Sequence, residues 1–124
     1  MGNYQELIFY QKARQVAKAV DVLVKSWTKT TQAQEIARQL FRSATSVGAN
    51  IAEGHGRKRP TEYLRFLRIA RPSLMQLQTQ ILIAEELGLL CVPPETHSLV
   101  AETDRALQGP INSLRRKQVH STAT

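Results

Sequence analysis

Apolar residues recur at three- and four-residue steps along four stretches of the chain, which is the spacing of one face of an α-helix. The stretches cover about residues 4–27, 32–53, 60–87 and 95–117. No segment alternates apolar and polar residues between hairpin turns, so the pattern predicts no sheet. Four helices joined by short links predict an all-α fold, an antiparallel up-and-down four-helix bundle.

Local chemistry predicts where the helices begin and end. Thr31 closes a polar segment and is expected to cap the second helix. Gly54 and Gly56 are expected to end that helix and form the turn, because glycine supplies backbone freedom. Pro60 suits the first turn of the third helix, and Gly88 suits its end.

Three further positions predict local features inside the helices. Pro72 should kink the third helix, because proline removes one hydrogen bond and crowds the preceding turn. Gly109-Pro110 should bend or locally break the fourth helix. Gly48 costs about 1 kcal/mol against alanine inside a helix, so we expect another helix to pack closely against it.

The third helix is apolar on more than one side. Its main stripe is Tyr63, Phe66, Leu67, Ala70, Leu74, Leu77, Ile81 and Ala84. A second line is Leu64, Met75 and Leu82, and a further side carries Ile69, Ile83 and Leu87. One bundle covers one broad stripe of a helix, so the surplus predicts self-association through Leu64, Met75 and Leu82. The alternative is an exposed apolar patch on a monomer.

Length and composition indicate one globular domain. The 124 residues are 42% hydrophobic and 22% charged, which predicts a single domain over residues 1–118 with a frayed tail at 119–124. No window holds 18 apolar residues and no secretory signal is apparent, so we expect a cytoplasmic protein without a membrane span. The single cysteine, Cys91, excludes an intrachain disulfide and a cysteine-based zinc site.

The net charge of +7 is concentrated in the middle of the chain. Residues 36–84 carry eight bases and two acids, a net charge of +6, whereas residues 1–35 carry +2 and residues 85–124 carry −1. A local excess of this kind attracts polyanions or acidic protein surfaces.

The bases of this segment form the candidate nucleic-acid-binding set. They are Arg38, Arg42, Arg57, Lys58, Arg59, Arg65, Arg68 and Arg71. If the second and third helices fold back on each other, Arg42 and Arg71 should lie at similar heights, each about three turns from the turn. They would then form a basic stripe for phosphates. Inter-subunit salt bridges or solvated surface arginines are the alternatives.

Other candidate chemistry favours structural roles. Glu53, at the carboxyl end of its helix, should need a cationic partner such as Arg57, Arg65 or Arg68. Asn50 could tie the turn together through its amide. A carboxylate poised for acid–base chemistry is the sharper alternative for Glu53, but no second carboxylate lies nearby in sequence.

No cofactor or metal site is predicted. The histidines stand apart, without a helical pair at ligand spacing, and Cys91 is expected to pack near a helix end. The segment GHGR lacks the Lys-Ser or Lys-Thr of a nucleotide-binding phosphate loop. Trp27, Tyr63 and Phe66 are expected in the core rather than in a ligand box.

The stretches SATSVGANIAEGHGR and FLRIARPSLMQLQTQILIAEELG resemble a known family, the bacterial four-helix bundle proteins encoded in intervening sequences of large-subunit ribosomal RNA genes. The first family motif, Q-L-x-R-A-x-x-S-I-x-x-N-I-A-E-G-x-G-R, begins at Gln39. It is met by Gln39, Leu40, Arg42, Ser46, Asn50, Ile51, Ala52, Glu53, Gly54, Gly56 and Arg57. The second family motif, F-L-x-I-A-x-G-S-L-x-E-L-x-T-Q-L, begins at Phe66. It is met by Phe66, Leu67, Ile69, Ala70, Ser73, Leu74, Leu77, Thr79 and Gln80. The chain departs from the pattern at Pro72, where the family prefers glycine, and at Gln76, where it prefers glutamate.

The resemblance implies a homopentameric ring of four-helix bundles. It also implies kinship with accessory proteins of diversity-generating retroelements, which bind nucleic acid and a reverse transcriptase. It supplies no activity. Our first hypothesis is therefore a non-enzymatic oligomeric bundle that binds nucleic acid, structured RNA above all, through its arginines. The alternative is a protein-interaction scaffold that holds an acidic partner; an enzyme is supported by no constellation of residues.

Overall fold

The computed structural model describes residues 4, 7–26 and 30–123, with side chains described as far as residue 118. It contains four helices: α1 (Ile8–Lys25), α2 (Thr31–Gly56), α3 (Pro60–Glu86) and α4 (Pro94–Ala123). No strand occurs in these ranges, so the all-helical prediction is confirmed. Trp27, a predicted core residue, lies outside the described residues. The frayed tail falls where side chains are not described, and it stays a prediction.

The helix ends confirm some local predictions and correct others. The N-cap of α2 is Thr30 rather than Thr31, and the Thr30 side chain accepts a 3.1 Å hydrogen bond from the Ala33 N–H. Pro60 begins α3, as predicted. Gly88 follows α3 with φ +70°, and its N–H donates to the Glu85 carbonyl. The next N–H, of Leu89, reaches the Ala84 carbonyl, which completes a Schellman-type end.

The turn between α2 and α3 is built differently from the prediction. Gly54 and Gly56 both lie inside α2, and neither has a positive φ. The residue in the left-handed region is Lys58, with φ 65°, directly after the C-cap Arg57. The helices also continue through Pro72 and through Gly109-Pro110, so α4 is not broken there. The kink at Pro72 and a bend at Pro110 stay predictions.

The helices pack in a cycle. Each contacts the next along the chain, and α1 also contacts α4, whereas the described residues of α1 and α3, and of α2 and α4, make no such contact. The buried apolar cluster draws on all four helices. Its largest fully buried members are Leu40, Ile51, Leu64, Leu67, Leu74, Leu77, Ile81, Leu107, Val16, Val20, Val47 and Val100.

The apolar line predicted as an oligomer interface divides into buried and exposed members. Leu64 is only 1% exposed and belongs to the core, so its assignment to an interface was wrong. Met75 and Leu82 remain 37% and 47% exposed. Ile69, Ile83 and Leu87 of the same helix are also exposed.

The packing of α2 on α3 depends on a small residue. A Cβ atom built on Gly54 would lie 2.7 Å from the Phe66 Cβ and 3.1 Å from the Tyr63 Cδ1. Only glycine admits α3 this closely. Further along, the Ser46 and Ser73 hydroxyls are 3.1 Å apart, and the Ser43 hydroxyl donates to Gln80 Oε1 at 3.0 Å. Residues that lie earlier in α2 therefore contact residues that lie later in α3.

Candidate nucleic-acid interface

Four of the eight predicted basic residues form ion pairs within the subunit. Arg38 pairs with Glu35, Arg57 with Glu53 at 2.7 Å, Arg65 with Glu62 at 3.3 Å, and Arg71 with Asp104 at 2.7 Å. The first three pairs join residues one turn apart on an exposed helix surface. Such pairs contribute little to stability, and their guanidinium groups remain open to solvent.

The Arg71 pair has a different geometry, because it joins two helices. The Arg71 Nε donates to Asp104 Oδ1, and the Asp104 side chain is only 17% exposed. This hydrogen bond, with the negative charge beside it, raises the pKa of Arg71 above its ordinary value. Arg71 is therefore engaged in holding α4 against α3.

Arg42 and Arg71 do not form the predicted common stripe. The Ser46–Ser73 contact sets the register of α2 against α3. By that register Arg42 lies opposite a position six residues beyond Arg71, roughly 9 Å along the axis at about 1.5 Å per residue. Arg71 also faces α4, whereas Arg42 lines the groove between α2 and α3. The prediction of similar heights was wrong.

The groove beside Arg42 is polar. It has a volume of about 410 Å³ and is lined by Gln39, Arg42, Ser43, Ser46, Ser73, Gln76 and Gln80. Within the described part of the chain, Arg42 forms no salt bridge, but it acts on the Glu35 carboxylate. The pKa of Glu35 is lowered mainly by hydrogen bonds from Arg38 and Gln39, and further by the charges of Arg38 and Arg42. One guanidinium among hydroxyl and amide groups can donate hydrogen bonds to an anion, but this set contains no acid–base pair.

A second group of cations surrounds the α2–α3 turn. Lys58, Arg59 and Arg68 are exposed, and none has a carboxylate partner among the described residues. Beside them, the Arg57 and Arg65 guanidinium carbons lie 5.4 and 4.5 Å from the centre of the Phe66 ring. This cation–π contact orients both arginines at the turn.

The remaining motif residues serve the structure. The Asn50 amide donates to the Ser46 carbonyl at 2.8 Å and to the Ser46 hydroxyl at 3.1 Å, both one turn back within α2. The expectation that Asn50 ties the turn together is therefore not met, because both bonds lie within α2. Glu53 does have the predicted partner, Arg57.

Other candidate chemistry is sparse over the described residues, where no group of three histidine, cysteine or acidic side chains could hold a metal ion. Cys91 is exposed rather than packed. Tyr63 lies half-buried against α2, and burial raises the pKa of its phenol to about 12.

Three cations that the sequence analysis did not select lie near the turn. Arg115, Arg116 and Lys117 are exposed in the last turns of α4 whose side chains the structure describes. Their neighbour Gln118 lines a pocket with Thr61, Leu64, Arg65, Arg68 and Ile69 at the start of α3. The net charge of residues 85–124 is −1, so a count by segment does not indicate this cluster. The five acids of the segment lie in its first half, and the three cations lie near its end.

The comparison with protein families gives a match over most of the chain. A model of the family described as 23S rRNA-intervening sequence protein matches residues 5–108. The comparison with curated proteins gave no match. Within the described ranges, no helix combines the length and apolar character that a bilayer crossing requires.

Proposed function

Because the chain belongs to the 23S rRNA-intervening sequence protein family, whose name gives a gene location rather than an activity, we propose a function from the surface itself. The protein is a non-enzymatic oligomeric bundle that binds structured RNA through its basic side chains. One observation carries this proposal: Lys58, Arg59 and Arg68 are exposed cations that form no ion pair with a carboxylate among the described residues. Cations in that state are available to phosphates.

The fold supports recognition of a folded RNA backbone rather than of unstacked bases. Arg68 projects from α3, and Lys58 and Arg59 lie in the short turn that joins α2 to α3. At the α2–α3 turn, the Phe66 ring is covered by Arg57 and Arg65. The exposed ring of Phe41 lies away from this turn, in the first half of α2. Stacking platforms for single strands require open aromatic faces, whereas duplex RNA is recognised largely through shape and phosphate contacts.

A mobility-shift titration tests the proposal. The probes are a short RNA duplex and a single strand of the same length, each measured at several salt concentrations. We expect tighter binding of the duplex and an affinity that falls steeply with salt, because each neutralised phosphate releases counterions. Absence of duplex binding even at low salt would contradict the proposal.

The assembly is part of the same proposal. We infer antiparallel helices and a homopentameric ring. The pairing of late α2 positions with early α3 positions supports the antiparallel sense. Exposed Met75 and Leu82 support self-association, and the number of subunits rests on the family resemblance.

A protein-interaction scaffold is the second candidate. The observation that favours it is the row of exposed apolar side chains on α3, including Ile69, Ile83 and Leu87. This candidate predicts that a pull-down after nuclease treatment recovers one acidic protein in a fixed ratio. Loss of every partner on nuclease treatment would contradict it.

A further inference from the structure

The charges of the subunit are separated along the bundle. The basic end consists of the α2–α3 turn, the first turns of α3 and the last described turns of α4. Its cations are Arg57, Lys58, Arg59, Arg65, Arg68, Arg115, Arg116 and Lys117. Among the described residues of this end, the carboxylates are Glu53 and Glu62, so eight cations and two anions give that set a net charge of +6.

Contacts between helices bring these distant segments together. Gly54, near the end of α2, packs against Tyr63 and Phe66, near the start of α3. Gln118 shares a pocket with Arg65 and Arg68, which places the last described turns of α4 beside the same part of α3. Cations that are about 50 residues apart in sequence therefore share one end of the molecule.

The opposite end carries the opposite charge. The end of α3 lies beside the start of α4, because His97 Nε2 is 3.0 Å from Glu85 Oε1. The acids of the described residues at that end are Asp21, Glu35, Glu85, Glu86 and Glu95, and the bases are Lys25 and Arg38. Five anions and two cations give that set a net charge of −3.

We propose that the basic end, and not the α2–α3 groove at Arg42, is the surface on which the backbone of duplex RNA docks. This inference rests on the proposed function and specifies its site. A polyanion is drawn to the basic end and repelled by the acidic end, so the field orients the protein before contact. The cations of α4 add contacts that the family's two sequence motifs do not include.

Neutralising variants test the site. An end variant and a control variant each lose three positive charges, and a groove variant loses one. The end variant combines Lys58→Gln, Arg68→Gln and Arg116→Gln, one change from each segment of the basic end. The control combines Arg14→Gln, Lys18→Gln and Arg105→Gln, exposed cations on other parts of α1 and α4. The groove variant is Arg42→Gln. Circular dichroism confirms that each variant is folded before its affinity for the RNA duplex is measured.

We expect the end variant to lose at least about tenfold in affinity at moderate salt. Its salt slope should fall by up to about 2.7, given about 0.9 for each duplex phosphate contact. The control and groove variants should change affinity less than about threefold, because long-range charge alone is screened beyond about 10 Å at 0.1 M salt.

A double variant, Arg116→Gln with Lys117→Gln, tests the α4 contribution independently of the turn. Its affinity should also fall, whereas unchanged affinity would overturn the part that α4 plays. Equal losses in the end and control variants would show that only net charge matters, and a loss confined to Arg42→Gln would move the site to the groove. Either result overturns the inference while leaving RNA binding intact. A wild-type protein that binds no duplex removes the proposed function itself.

Discussion

Gly54 and Gly48 lie in the same helix but face different surroundings. A Cβ on Gly54 would meet the Phe66 Cβ at 2.7 Å, closer than carbon atoms pack, whereas a Cβ on Gly48 would meet Tyr10 and Ala13 at 3.7 and 3.9 Å. The second pair of distances is ordinary van der Waals contact. Gly48 is therefore not required by close packing, contrary to the expectation from the sequence.

Alanine substitutions at these two glycines should change stability in opposite directions. Gly48→Ala should stabilise the protein by up to about 1 kcal/mol, the helix-propensity difference. Gly54→Ala should destabilise it by about 1–2 kcal/mol, because overpacking at Phe66 exceeds that gain. Urea unfolding of both variants at one protein concentration measures the difference, and two stabilising substitutions would contradict the assigned role of Gly54.

Lys58 holds a backbone conformation that favours glycine. Its φ of 65° follows the end of α2, where the left-handed conformation costs a non-glycine residue about 1–2 kcal/mol. Lys58→Gly should therefore raise the free energy of unfolding by roughly 0.5–1 kcal/mol, after the extra unfolded-state entropy of glycine is subtracted.

The neighbouring Arg59 provides the control for this substitution. Its φ is −108°, in the extended region, so Arg59→Gly relieves no backbone strain and should not stabilise the protein as much as Lys58→Gly. Thermal unfolding compares the two variants. If they shift the midpoint equally, the backbone of Lys58 is not strained.

These residues show where sequence reasoning reaches its limit. Glycine commonly ends helices, so Gly54 and Gly56 predicted the turn, but the need for Gly54 comes from a contact with α3. That contact depends on the register of two helices, which local chemistry does not determine. Nothing in a lysine marks it for a positive φ, whereas Gly88 was predicted correctly because residue type and conformation agree there.

At the scale of helices, the Arg71–Asp104 pair is the charged contact through which α3 and α4 are joined near their middles. Arg71→Met removes the charge but retains much of the apolar stem, and it leaves the Asp104 carboxylate, 17% exposed, without its partner. We expect a loss of about 1 kcal/mol in the free energy of unfolding. The matched change Arg38→Met affects an exposed pair within α2 and should cost less than Arg71→Met.

The raised pKa of Arg71 also predicts how the stabilising effect of this contact depends on pH. The pKa of Arg71 is raised above an already strongly basic value, so its contribution is fully present below that value and is lost only at extreme alkaline pH. The destabilisation caused by Arg71→Met should therefore be constant across neutral pH. Urea unfolding of both variants at several pH values checks this. A loss for Arg71→Met no larger than that for Arg38→Met would show that the inter-helix pair is not structural.

The helices themselves were largely readable from periodicity, and the errors concern their neighbours. Leu64, Met75 and Leu82 form one line on α3, offset from its main stripe, and all three were expected at an interface. In a bundle a helix is flanked by two others, and α4 packs against this side of α3, where Leu64 shares a pocket with Gln118 and Arg71 donates to Asp104. Leu64 is buried whereas Met75 and Leu82 are not. Periodicity identifies the line of residues, but only packing decides how far a neighbour covers it.

Over the whole molecule, charge and apolar surface occupy different places. The cations gather at one end, whereas Met75 and Leu82 are exposed on the side of α3. A ring in which the subunits pack side by side through α3, with their axes aligned, would leave every basic end on one face. Self-association of this kind would multiply the positive field and would strengthen the proposed binding of RNA.

Assembly is testable apart from RNA. Light scattering should give the wild-type protein a mass of several subunits at micromolar concentration. Met75→Glu with Leu82→Glu should reduce the mass to that of one subunit, because carboxylates in an apolar interface lose their hydration without gaining a partner. Val22→Glu, at a position that is 69% exposed on α1, is the control and should retain the wild-type mass. A wild-type protein that is monomeric at that concentration would refute the ring, and an unchanged mass in the double variant would move the interface to another surface.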